Sequence, residues 1–374
     1  MNKHDRPMVR LEQRIRDAEN DLFALLDAEV EERFLELERT DLRVRVLSHG
    51  SGVPLLLMHG VSLMAAAWAP LFAELQGFRL LAVDLPGHGL SDPVRYRRGR
   101  VREHAHRLID DVLDALGLDD VPVVGHSLGG MFALWHAAAG SERISEVIAV
   151  GVPAVALPEV RVRMPLSPLT VRGLGVAVLR SPSPRPIYRR MLAQGLGSAE
   201  VEMAPDALIE ALRLSARRPE NARTVASLMR AIDRLRRPRA ESVLTAAELA
   251  AIRVSTTFIL GADDPYLSPR DARPSIAQIP NATMHEMDAG HGPWLVDPRR
   301  VAGLIAADQE TAARTTPLTS ARGLFGETHR PAARGCRPRS ASRIRHCGGR
   351  RATGDTLGGQ GFPPWPETRW QSSP

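Results

Sequence analysis

Residues 121–139, VPVVGHSLGGMFALWHAAA, change character halfway along. Val121 to Val124 form a short apolar run without alternation, as in a strand buried on both faces of a parallel sheet. From Leu128 onward the residues favour a helix. Between the two lies Gly125-His126-Ser127-Leu128-Gly129, a G-x-S-x-G in a strand-turn-helix setting. A serine on so tight a turn has strained backbone dihedrals, and the residues two before and two after it must be small. Gly125 and Gly129 meet that need. The turn exposes the Ser127 hydroxyl at a helix N-terminus, whose unpaired N–H groups and partial positive charge favour a developing oxyanion.

Outward from this turn the same kind of strand recurs at 53–58, 79–84, 147–150 and 257–260. Helical stretches at 65–76, 101–116, 128–139 and 299–308 alternate with these strands. Strand and helix in alternation imply right-handed βαβ units and a doubly wound α/β domain with a mostly parallel sheet. Ligands of such sheets lie beyond the carboxyl ends of the strands, so the chemistry is sought in the loops that follow them. Residues 33–38 and 42–47 alternate apolar with polar and read as an antiparallel hairpin at the sheet edge. Before them, Leu11, Ile15, Ala18, Leu22, Leu25 and Leu26 mark an amphipathic helix over about residues 9–28, within an N-terminal segment 1–29, expected to pack on the domain's edge.

The core is thus expected at 30–151 and 253–310. Residues 152–252, rich in Pro, Arg, Leu and Met, interrupt the pattern and read as an inserted helical cap. From residue 311 periodicity ends and Gly, Pro, Ser, Thr and Arg dominate, so 311–374 is expected to be a disordered basic tail. The chain carries 49 Lys and Arg against 43 Asp and Glu, but the tail holds 11 Arg and only three acids, which leaves residues 1–310 near neutral. No nucleic-acid partner is expected from that distribution. Both cysteines, Cys336 and Cys347, also lie in the tail, which excludes a disulfide framework, a Cys-based zinc site or a thiol nucleophile from the core. No stretch approaches the roughly 20 apolar residues of a membrane span, and the charged N-terminus lacks the apolar run of a signal peptide. A cytoplasmic protein without membrane insertion is the expectation; its oligomeric state is left open.

A serine hydroxyl needs a general base, and the base needs a carboxylate to orient it. After the insert, the strand at 257–260 ends in Gly261-Ala262-Asp263-Asp264-Pro265. Asp264 is the preferred acid because Pro265 restrains the backbone that follows it, and Asp263 is the alternative. The strand at 283–287 runs into Asp288-Ala289-Gly290-His291-Gly292, and His291 on that glycine-flanked loop is the candidate base among 12 histidines. At the end of another strand stands Met58-His59-Gly60-Val61. There the N–H of Val61, with that of Leu128, can form a two-donor oxyanion hole. His59 is read as a brace for that loop. No metal and no cofactor are implied, since the chain has no His-Glu-x-x-His, no core cysteine ligands and no G-x-G-x-x-G after a strand.

Residues in this order resemble the α/β-hydrolase family, in particular its capped serine-esterase-like members. The resemblance covers residues 30–310 through His59-Gly60 with Trp68, the run Asp84-Leu85-Pro86-Gly87-His88-Gly89-Leu90-Ser91, the elbow at Ser127, the acid loop at Asp264 and Gly290-His291. It implies a Ser127–His291–Asp264 triad, an oxyanion hole from Val61 and Leu128, and a cap closing an apolar pocket. The expected activity is hydrolysis of a carboxylic ester, or related acyl bond, of a small to medium apolar substrate through an acyl-enzyme. An acyltransferase using the same triad, a carbon–carbon bond hydrolase and a non-catalytic binding protein are the alternatives. Relatives that cleave carbon–halogen or epoxide bonds use an Asp nucleophile, against which Ser127 argues. Carbon–carbon hydrolases usually carry Trp after the catalytic His, where this chain has Gly292. In the insert, Met164, Leu166, Leu169, Tyr188 and Met191 are apolar residues available either to line a pocket or to form the packing core of the cap.

Overall fold

A computed structural model describes residues 5–161, 167–181, 183–234 and 237–315. Helix α1 (Asp5–Leu25) precedes the hairpin of β1 (Glu31–Leu37) and β2 (Leu42–His49), and β3 (Val53–Met58) follows. A 3₁₀ helix at Ala65–Leu71 leads to β4 (Phe78–Val83), α2 (Val101–Leu116), β5 (Pro122–His126), α3 (Leu128–Ala138) and β6 (Glu146–Val150). The insert then contributes α4 (Leu174–Arg180), α5 (Arg185–Leu196), α6 (Ser198–Met203), α7 (Asp206–Ser215), α8 (Pro219–Ile232), the two-residue strands β7 (Asp233–Arg234) and β8 (Arg237–Pro238), and α9 (Ala246–Ala251). The chain returns to the sheet with β9 (Ser255–Gly261), α10 (Pro269–Ile276), β10 (Ala282–Met287), α11 (Pro293–Val296) and α12 (Pro298–Thr315).

Eight strands form one sheet in the order β1-β2-β4-β3-β5-β6-β9-β10. Six are parallel, and the β1–β2 hairpin joins antiparallel through β2 and β4. The apolar runs are explained by burial on both faces. In β3, Leu55 and Leu57 pack on one side with the 3₁₀ helix and α12, while Leu56 and Met58 pack on the other with α2 and α3. All four are at most 2% exposed. The order reverses at β3, which has β4 on one side and β5 on the other, and this switch point places the crevice at the carboxyl ends of β3 and β5.

Two expectations are corrected and a third is extended. The stretch 65–76 forms only the short 3₁₀ helix with Pro70 inside it, a residue with no N–H for helical bonding. The last helix continues to Thr315, so residues 311–315 extend the domain; the rest of the expected tail, 316–374, lies outside the described residues. Helix α1 does more than cover an edge, because it lies along α7 of the insert, where Arg218 Nη2 meets Glu12 Oε1 at 3.2 Å. It also sends Glu19 into the sheet. There Arg45 of β2, fully buried, pairs with Glu19 at 2.5 Å, with Asp84 at 2.7 Å and with Glu32 at 3.1 Å. Asp84 further accepts the N–H groups of Ala65 at 2.7 Å and Leu90 at 2.9 Å, which pins both loops flanking β4.

Candidate active site

Ser127 follows β5 with φ +48° and ψ −103°, a strained backbone for a residue with a side chain. Its neighbours explain why the turn closes. A Cβ on Gly125 would lie 2.4 Å from the N of Gly130, and one on Gly129 would lie 2.1 Å from the carbonyl oxygen of Met58. Without side chains at these two positions, α3 approaches β3 closely and Gly129 N–H donates to the carbonyl of His59 at 3.2 Å. Val61 and Leu128 flank Ser127 around a cavity of about 30 Å³, and among the described residues neither backbone N–H has a hydrogen-bond partner.

His59 is fully buried, and both ring nitrogens are used: Nδ1 donates to the carbonyl of Gly60 at 2.7 Å and Nε2 accepts the N–H of Leu85 at 3.0 Å. Burial lowers its pKa to about 4, so the ring is neutral and braces the Gly60-Val61 loop. On the far side of β5, the loop after β9 carries Asp264 and the loop after β10 carries His291. His291 Nδ1 donates to Asp264 Oδ2 at 2.6 Å. The N–H groups of Val152 and Tyr266 fix the carboxylate, donating to Oδ2 at 3.1 Å and to Oδ1 at 3.0 Å. Asp263, the alternative acid, is exposed and does not reach His291. Ser127 Oγ makes no hydrogen bond among the described residues and opens on the cavity.

Several residues at the site carry no sequence signal of their own. His126 lies behind the dyad, its Nε2–H donating to the carbonyl of His291 at 3.0 Å and its ring 4.6 Å from that of Trp294. Burial lowers its pKa, keeping it neutral. Tyr266 sets its ring edge-on to His291 at 4.6 Å and lines the cavity. The insert adds Met229 and Ile232 from α8, and among the described residues no charged side chain faces this cavity. Of the apolar insert residues singled out above, Leu169 and Tyr188 are buried in packing, Met191 does not line the cavity, and Met164 and Leu166 lie outside the described residues. Among the described residues no helix is long and apolar enough to cross a membrane.

Comparison with known proteins agrees with this architecture. A protein of Mycobacterium tuberculosis with no assigned function is 29% identical over 269 residues, 70% of this chain and 76% of its own length. A 2-hydroxy-6-oxononadienedioate/2-hydroxy-6-oxononatrienedioate hydrolase of Cupriavidus pinatubonensis is 29% identical over 256 residues, 66% of this chain and 83% of its own. The solved structure of carboxylesterase CesB from Bacillus subtilis shares the fold with a TM-score of 0.64 at 19% identity, covering 80% of this chain and 98% of that one. The family model for the alpha/beta hydrolase fold matches residues 53–298, from β3 through the His291 loop, and this chain belongs to that family.

Proposed function

We propose that the protein is a serine hydrolase that cleaves a carboxylic ester of a small apolar acid through an acyl-enzyme. Ser127 Oγ attacks the carbonyl carbon as His291 Nε2 takes its proton, and the tetrahedral oxyanion is received by the N–H groups of Val61 and Leu128. His291 then gives the proton to the departing alkoxide, which leaves as the alcohol. Water, deprotonated by His291 in turn, releases the acid. Asp264 keeps the proton of His291 on Nδ1 and stabilises the imidazolium that forms in each half-reaction.

The observation that carries this reading is a strained serine beside two N–H groups without partners among the described residues on one cavity, with a 2.6 Å His–Asp dyad set against Tyr266 of the cavity wall. The dioate substrates in the name of the Cupriavidus relative carry two carboxylates, and among the described residues the lining of this cavity is apolar and offers them no counter-charge. This favours esters over that carbon–carbon chemistry. A space of about 30 Å³ holds roughly two waters, which points to short acyl groups.

The test is hydrolysis of p-nitrophenyl esters from acetyl to dodecanoyl by the wild type and by Ser127→Ala of equal foldedness, with added alcohol as a competing acyl acceptor. We expect the highest kcat/KM at acetyl to butyryl and a loss of about 10³-fold or more in the variant. A variant as active as the wild type removes Ser127 from the reading. Ester formation on the added alcohol outrunning hydrolysis would convert the assignment to an acyltransferase.

A further inference from the structure

The base is held by the insert as well as by the core. His291 N–H donates to the carbonyl of Leu196 at 2.6 Å, and the preceding N–H, of Gly290, donates to Glu200 Oε1. Leu196 ends α5 and Glu200 lies in α6, so two consecutive N–H groups of the loop are bonded by one short stretch of the insert. From the opposite side His126 holds the carbonyl of His291. The Glu200 carboxylate is 1% exposed and forms no ion pair with an arginine among the described residues. Three glycines make its slot: a Cβ on Gly197 would lie 1.9 Å from Oε2, one on Gly290 3.0 Å from both oxygens, and one on Gly292 3.5 Å from Cγ. Burying a carboxylate without a cation is costly, and an apolar side chain would fill space more cheaply. The acceptor oxygen is what the site gains.

We propose that Glu200 is a positioning residue for His291: from the insert, its carboxylate fixes the Gly290–His291 backbone so that the imidazole meets Asp264 and Ser127 together. The inference rests on the hydrolase reading, and it couples the base to the insert whose α8 walls the cavity. Displacing the insert then loosens the base as well as opening the cavity.

The experiment compares Glu200→Ala, Glu200→Asp and Glu200→Gln by ester kinetics, by the rate of Ser127 labelling with a fluorophosphonate probe, and by amide exchange of Gly290 and His291. Glu200→Ala should lower kcat and the labelling rate about 10- to 100-fold with KM within about threefold, the scale of loss from a reacting group displaced by about 1 Å. Its Gly290 and His291 amides should exchange at least about tenfold faster, since an N–H without its acceptor opens locally. Glu200→Asp, which keeps the charge but falls one methylene short, should resemble Glu200→Ala. Glu200→Gln, which keeps an acceptor oxygen in place, should recover most of the loss. Unchanged kcat and exchange in Glu200→Ala would overturn the inference, as would Glu200→Gln as impaired as Glu200→Ala. A wild type that neither cleaves esters nor takes the probe removes the hydrolase reading instead, while the exchange rates still decide whether Glu200 holds the loop.

Discussion

Two adjacent aspartates at the end of β9 meet different fates through backbone geometry alone. Asp264 is turned inward, its carboxylate held by the N–H groups of Val152 and Tyr266 and aimed at His291, whereas Asp263 faces solvent. Asp264→Asn should therefore lower kcat by about 10³- to 10⁴-fold, because an amide in that place favours the wrong imidazole tautomer. Asp263→Asn should stay within about twofold of wild type in the same ester assay, and equal losses in the two variants would undo the assignment. At this scale the sequence was legible where covalent constraint speaks: glycines around Ser127, Pro265 beside Asp264, glycines around His291. It was silent on Glu200 and His126. A glutamate on a six-residue helix looks like any surface acid, and only the folded contact with residues 90 positions away distinguishes it.

Among the elements, strands buried on both faces announce themselves as unbroken apolar runs, and β3, β5 and β6 lie where those runs stand. Most of the segments missed are short, the 12-residue α5 and the 8-residue α10 aside. Helices α4, α6 and α9 have six or seven residues, too few for a helical period to repeat, and β7 and β8 have two residues each. Their stability comes from tertiary packing, which no window of sequence contains. Helix α8 forms part of the cavity wall. Its Met229 and Ile232 reach the cavity from the insert while Val225 and Leu228 pack in the core. Ile232→Ala removes three carbons from the cavity wall, and the optimum in the ester panel should move by about two carbons toward longer acyl chains. An unchanged optimum with unchanged rates would show that acyl chains do not enter beside α8.

For the whole molecule, pH is the sharpest lever, because several histidines are buried as neutral rings. Burial lowers His59 and His104 to about 4 and His88 to about 3, and also lowers His126, each from 6.5. The unfolded chain takes up these protons near pH 6.5 and the folded chain does not, so stability is full above that pH and falls as pH drops toward 4. Each group contributes a loss of about 1.4 kcal/mol per pH unit in that window. Glu19, raised by its own burial, works in the opposite direction. The urea midpoint should fall steeply between pH 7 and pH 5, with about two to three protons taken up on unfolding at pH 5.5. A stability independent of pH across that range would contradict the neutral burial of these rings. The Glu19–Arg45–Asp84 network reaches still further in its meaning. The family-matched stretch begins at residue 53, yet the guanidinium that neutralises its buried Asp84 comes from residue 45, and the carboxylate that balances that guanidinium comes from residue 19. Cut at the family boundary, the chain would keep every proposed reacting group and lose the charges that balance its buried Asp84.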